Sequence, residues 1–227
     1  MAKAATRKAE ELGLVAAAKK KQAEEHGDRL HLVDETPEPR PAATVLLLRD
    51  DPLRVLLVQR PSTGAFPSVW AFPGGAAEAD DVDAAMTAAR ETLEETGVVL
   101  DPGELVPWSR WIRPASEPRR FDTRFFVALA PEGADPRVDG IELVAARWAE
   151  PAEALRRREA GDWPILAPTA FQLHRLALSV TVDAVLATAR AQPDATIRPE
   201  LTGGMVRIPP DAGYPTTELR ASPVFRR

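Results

Sequence analysis

The stretch FPGGAAEADDVDAAMTAARETLEETGV, residues 72–98, crowds three carboxylates, Glu91, Glu94 and Glu95, into five positions behind a Pro-Gly-Gly turn. On a helix of 100° per residue, Glu95 lies about 40° and Glu94 about 300° round from Glu91, so all three fall within an arc of roughly 100°. Leu93, Ala89, Met86, Ala85 and Thr96 fall on the opposite arc, which predicts that this second face packs on a core. Three like charges side by side destabilise a helix unless a cation sits among them. Oxygen-only ligands suit Mg²⁺ or Mn²⁺, ions that commonly act on phosphate substrates. The bland alternative is a solvated acidic face with an Arg90–Glu94 pair at i,i+4. The pattern Arg90, Glu91, Glu94, Glu95, Gly97 behind Pro73, Gly74 and Gly75 is too specific for it: five fixed residue types at ~6% each recur by chance on the order of 10⁻⁴ times in a chain of this length.

At these residues the chain resembles the Nudix hydrolase family, whose box reads G, five residues, E, seven residues, REUxEExGU, with U a bulky aliphatic. Gly75 opens the box, and Arg90, Glu91, Glu94, Glu95, Gly97 and Val98 match its end. Three positions depart from it. Asp81 stands where the first Glu is expected, fourteen residues rather than thirteen separate Gly75 from Arg90, and Thr92 replaces the usual aliphatic. The extra residue falls in the loop before the helix, so the carboxylate spacing survives, and Asp81 or Asp83 becomes an N-cap rather than a ligand. The resemblance implies Glu91, Glu94, Glu95 and the carbonyl of Gly75 as metal ligands; a tight strand-to-helix turn explains Gly74 and Gly75 equally well.

The resemblance further implies hydrolysis of a nucleoside diphosphate linked to another moiety, with Mg²⁺ bridging diphosphate oxygens and activating a water. Arg90 would orient a box carboxylate. The water's proton would go to Glu95, Glu91 or Glu142, the last from a later loop. Cations and flat side chains for a nucleotide occur at Arg60 and at Arg113, Arg119, Arg120 and Arg124, which flank Trp108, Trp111 and Phe121. Strand alternation in RRFDTRFFV divides them, since Phe121, Thr123 and Phe125 share one face and Arg120, Asp122 and Arg124 the other.

Outside the box, LLVQRPSTGAFPSVWAFPGG, RRFDTRFFVALA and ILAPTAFQLHRLA are similar to segments of the peroxisomal-type Nudix enzymes that cleave CoA and acyl-CoA. That likeness spans roughly residues 43–190, although the sequence ends in FRR rather than a peroxisomal tripeptide. ADP-ribose or NADH is the alternative substrate. From another class, a catalytically silent nucleotide-sensing module would keep the fold, but a pure binder has no need to hold three acids together.

Composition sets the frame. The chain has 227 residues, 44% of them hydrophobic and 28% charged, which is ordinary for a globular α/β protein. A net charge of −5 argues against nucleic acid as a partner. The absence of cysteine excludes disulfides and thiolate chemistry, and His26, His31 and His174 are dispersed. No apolar run is long enough for a membrane helix, and no signal core or transit peptide is legible, so a cytoplasmic location is expected.

The order of elements predicts a Nudix-type α/β/α sandwich with a central mixed sheet plus an N-terminal helical extension. Three segments are expected: a charged helical extension and linker at 1–38, a hydrolase domain at 39–195, and a strand and tail at 196–227. Strands are predicted at 43–49, 53–60, 69–73, 105–114, 119–130, 141–150 and 203–211, with the box helix at about 82–96 and helices at 151–160 and 168–190. Residues 5–26 read as a helix with a thin stripe of Leu12, Val15 and Ala16, a candidate homodimer contact.

Overall fold

The computed structural model describes residues 38–64, 66–114, 120–192 and 195–221. The expected helix at 5–26, with its dimer role, and Arg119 lie outside the described residues.

ATVLLLR carries apolar side chains at every position from 45 to 48, the signature of a strand covered on both faces. It is the heart of β1 (Arg40–Arg49), where Val45, Leu46, Leu47 and Leu48 are fully buried. Alternation sends Val45 and Leu47 into one core and Leu46 and Leu48 into another. β1 runs parallel to β6 (Phe121–Leu129) along nine paired residues and antiparallel to β2 (Arg54–Gln59) at Leu48↔Val55 and Arg49↔Arg54. The expected hairpin is therefore present. β2 continues the sheet to β3 (Trp70–Ala71) and β7 (Ala145–Ala149), while β6 continues it through antiparallel β5 (Val106–Ile112) to parallel β8 (Ala195–Ile197). The sheet is mixed, as expected of the fold class.

The glycine pair does not form a simple turn. Gly74–Ala76 is a short strand, β4, antiparallel to the first half of β1 through Ala42↔Ala76, Ala43↔Gly75 and Thr44↔Gly74. β1 thus serves β4 with its first half and β2 with its end.

Helix α1 (Ala84–Thr96) covers one face of the sheet over Ala43, Val45, Leu47, Leu56 and Phe126. The other face carries α2 (Pro151–Ala160), α3 (Ala167–Leu176) and α4 (Val182–Ala191), which pack with Leu46, Leu57, Trp111 and Val127. The helix expected at 168–190 is two helices: residues 177–181 interrupt it, and Thr181 caps α4 by accepting the N–H of Ala184. Asp50, in the β1–β2 turn, accepts the Val182 N–H and fixes α4 to the sheet.

The predicted strand at 203–211 is shorter and has company. β9 (Glu200–Thr202), β10 (Met205–Arg207) and β11 (Glu218–Arg220) form a separate antiparallel sheet. Pro209 and Pro210, which lack an N–H, stop β10 early. This segment belongs to the main core, since Ile197, Ile208, Ala212 and Tyr214 are buried with Phe171 and Trp111.

Candidate active site

Asp83 caps α1 by accepting the Met86 N–H at 2.9 Å, and the N–H of Gly97 closes the helix on Leu93. The buried side of α1 differs from the amphipathic expectation. Thr87, Ala88, Ala89, Thr92 and Thr96 are buried, whereas Met86 and Leu93 are exposed. Thr92 and Thr96 can enter the core because each hydroxyl donates to the carbonyl four residues back, Ala88 at 2.7 Å and Thr92 at 2.6 Å. The core face consequently lies beside Glu91 and Glu95 rather than opposite them. These two carboxylates are wedged between α1 and β4, while Glu94 stays 58% exposed.

β4 fits this wedge only because Gly74 and Gly75 lack side chains. A Cβ on Gly75 would stand 2.4 Å from the Glu91 carboxyl carbon. Gly74, at φ 147°, would put a Cβ 2.3 Å from the Ala43 carbonyl, and its N–H donates to Glu95 at 2.9 Å.

Arg90 organises the acids. Its guanidinium grips Asp81 with both Nε (3.1 Å) and Nη2 (2.9 Å), and Nη2 also donates to the Ala76 carbonyl at 3.1 Å. Nη1 donates to Glu91 at 3.1 Å and to Glu94 at 3.0 Å. Asp81 is thus the anchor of the box arginine and not a cap. It also accepts the Thr87 hydroxyl and the Glu78 N–H, and the Arg90 hydrogen bonds hold its carboxyl well below the usual carboxylate range. Nothing local in the sequence pairs positions 81 and 90; the tie is made by the loop folding back onto the helix.

Glu95 behaves oppositely. Burial pushes its pKa up to about 7, the Gly74 N–H pulls it back, and the charges of Glu91 and Glu142 raise it further while Arg60 lowers it. Burial likewise raises Glu91, against the lowering influence of Arg90. Arg60 and Glu142 are therefore both within electrostatic reach of Glu95. Glu142 is exposed, on a loop that Asp139 fixes by accepting the N–H groups of Ile141, Glu142 and Leu143.

The remaining arginines do not form one group. Arg113 lies on the wall of a large cavity with its guanidinium 5.7 Å from the Phe66 ring centre, and Arg120 donates to the Arg113 carbonyl. Arg124 faces the α1 side of the sheet, near Asp122, Asp81 and Asp83. Trp108 is unavailable to a ligand: it is 2% exposed beneath Arg175, whose guanidinium sits 3.6 Å over the ring. A bulge between Pro107 and Ser109 turns Trp108 to the same side as Trp111, three residues on.

The family model for the NUDIX domain matches residues 38–168, more than half of the chain. The protein belongs to the Nudix family. The Nudix hydrolase of Alicyclobacillus acidocaldarius, solved by crystallography, is 29% identical and superposes with a TM-score of 0.61, covering 66% of this chain and 96% of that one. A Caenorhabditis elegans protein named "Putative nudix hydrolase 7" is 27% identical, with 60% of this chain and 60% of that protein covered. The chain thus spans about 60% of the length of that curated relative. Members of the family act on phosphorus-containing anhydrides and generally use divalent metal ions. Among the described residues, no three acids or histidines converge as a ready-made metal cage. The donor chemistry nevertheless suits a hard cation: Glu91 and Glu95 offer carboxylate oxygens, are partly buried, and the Glu91 charge raises Glu95.

Proposed function

We propose that this Nudix protein is a Mg²⁺-dependent hydrolase of a nucleoside diphosphate linked to another moiety, with CoA or acyl-CoA as its substrate. The observation that carries the reading is the Glu91–Glu95 pair held against the β4 glycines, with Glu95 raised to about 7. Two partly buried acids that repel each other cost stability, and a bound divalent cation offsets that cost. A protein that only binds nucleotide has no use for the arrangement. Glu91, Glu94 and Glu95, with Gly75 beside them, would hold Mg²⁺ or Mn²⁺, which supplies charge neutralisation at phosphorus and a more acidic water.

The chain's own residues divide the remaining work. Arg90 is a positioning residue: anchored on Asp81 and the Ala76 carbonyl, it fixes Glu91 and Glu94 without needing to touch substrate. Glu95 is poised to accept a proton near neutral pH, and Glu142 is the second candidate because its charge is felt there. Arg60 supplies positive charge at Glu95 and suits a substrate phosphate. Arg113 and Arg124 lie on opposite sides of the sheet and do not grip one phosphate together. The substrate is a small molecule and the setting cytoplasmic on this reading.

The test is a panel with Mg²⁺: CoA, acyl-CoA, ADP-ribose, NADH and a nucleoside triphosphate. Preference for CoA or its thioesters is expected. Preference for ADP-ribose or NADH would replace the substrate, and no hydrolysis of any member would favour the nucleotide-sensing module.

A further inference from the structure

The outer edge of the sheet beside β7 carries a pocket of about 260 Å³. Among the described residues β7 pairs with β2 alone, so its other side is an edge. The pocket wraps over that edge, since Trp148 packs with the core beneath α1 and Trp163 with the core on the opposite face. Arg147 and Trp148 of β7, Arg49 from the end of β1, Glu153 and Arg157 of α2, and Trp163 line it.

Charge balance identifies the occupant. The chain as a whole carries −5, yet this wall gathers three arginines against one acid. Glu153 pairs with Arg157 at 3.0 Å, whereas neither Arg49 nor Arg147 makes an ion pair with another described residue. Arg49 is crowded as well, because Arg54 stands directly opposite it in the antiparallel register, a like-charge pair that destabilises a sheet. Burial, and then the Arg54 charge, lower the Arg49 pKa. The pocket thus leaves two positive charges uncompensated. A phosphate monoester, at about −1.5 to −2 near pH 7, matches them, and the guanidinium fork fits its oxygens; a monocarboxylate falls short by one charge. The cations are also held in place. The Arg49 guanidinium lies 4.4 Å from the Trp148 ring centre, and that of Arg157 lies 5.1 Å from Trp163, which is itself stacked on buried Trp70 at 4.5 Å. A guanidinium stacked on a ring keeps its in-plane N–H groups for a ligand.

Strand register separates this pocket from the carboxylates. Arg60 and Glu142, whose charges act on Glu95, lie just beyond Gln59 and Ala145, which pair at one end of β2 and β7. Arg54 opens β2 at its other end, about 17 Å from Gln59 at ~3.3 Å per residue. We infer that the β7 edge pocket is a second binding site, taking the phosphate monoester group of a small molecule, apart from the carboxylate site. Its volume leaves room beside a phosphate for the small group that carries it. The inference goes beyond the CoA reading and does not depend on it, since neither metal nor hydrolysis enters.

The experiment is calorimetric titration of the full chain with glycerol 3-phosphate, inorganic phosphate and acetate, in chelator so that no metal draws phosphate to Glu91 and Glu95. Glycerol 3-phosphate should bind saturably with a Kd below about 1 mM, inorganic phosphate no more tightly, and acetate not at all. Arg147→Glu, at an exposed position, and Arg49→Gln should each weaken binding at least about tenfold, the worth of a charge-assisted hydrogen bond. Arg156→Glu makes the same charge change as Arg147→Glu on an exposed position of α2 outside the pocket, and should keep Kd within about threefold, as screening by salt predicts. Circular dichroism melts check that each variant is folded. No saturable binding of glycerol 3-phosphate, or no weakening in folded Arg147→Glu, overturns the site. An equal loss in Arg156→Glu reduces it to general surface charge and overturns it too, as does binding of inorganic phosphate without the ester. None of these results bears on which nucleotide the carboxylate site hydrolyses.

Discussion

Replacing Glu95 by Gln should make the metal-free protein more stable and less active at once. The carboxyl rises from an ordinary 4.5 to about 7 on folding, so above pH 7 the folded state must ionise an acid that burial and Glu91 resist. At ~1.4 kcal/mol per unit this costs on the order of 3 kcal/mol. Below pH 4.5 the group is protonated folded and unfolded, and the cost is absent. Between about pH 4.5 and 7 the unfolded chain loses the proton while the folded chain keeps it, so stability falls as pH rises. Glutamine keeps an oxygen for the Gly74 N–H without the charge. Thermal unfolding in chelator should therefore show Glu95→Gln equal to wild type near pH 4 and higher by roughly 6–12 °C at pH 8, at ~2–4 °C per kcal/mol for a domain of this size. Adding Mg²⁺ at pH 8 should raise the wild type more than the variant, and the variant's turnover should fall at least about a hundredfold. A variant no more stable than wild type at pH 8 in chelator would refute the strained-carboxylate argument.

Gly75→Ala should leave the melting temperature within a few degrees but lower turnover at least about tenfold, because the new Cβ meets the mobile end of Glu91 and displaces it. Gly74→Ala presses instead on the Ala43 and Thr44 backbone, so circular dichroism melts should show it as much the more damaging of the two. Asp81→Asn should cost about 1–3 kcal/mol in urea unfolding at pH 7. Since the Asp81 carboxyl is held below its ordinary value, that difference should be constant above about pH 5 and shrink as acid protonates the wild type. Gln172→Leu removes the acceptor of Trp108 Nε1 and Tyr214 and the donor to Ser109, all buried, and should cost at least about 3 kcal/mol in the same assay without changing KM.

Most of the scaffold was legible because it follows from periodicity. The apolar run at 45–48, the turn at Asp50–Pro52 and the alternation of Phe121, Thr123 and Phe125 each dictate a strand and its faces. The spacing predicts the box helix at about 82–96, and it runs Ala84–Thr96. What escaped depended on partners distant in sequence. No local rule makes Gly74–Ala76 a strand; β1 recruits it. The break at 177–181 carries no proline or glycine, and the C-terminal sheet is built from strands of three residues, too short for alternation to register. The arginines look like one cluster because they are close in sequence, yet Arg113, just past β5, lies on the cavity side of the sheet while Arg124 of β6 lies on the α1 side.

Hydrophobicity alone points the wrong face of α1 at the sheet. Hydrophobicity ranks Leu93 and Met86 above threonine, but Thr92 and Thr96 bring no unmet hydrogen bond into the core once each donates to the preceding turn. That swap rotates the buried arc toward Glu91 and Glu95. Had leucine and methionine faced the sheet, both glutamates would have pointed to water with ordinary acidity, and α1 would not have met β4 through them. The threonine at position 92, a departure from the aliphatic pattern, thus accompanies the burial that raises Glu95. The extra residue before Arg90 is absorbed the same way: the loop from Ala77 to Asp83 folds back until Asp81 meets the guanidinium, so the arginine keeps a carboxylate anchor although its spacing from Gly75 has changed.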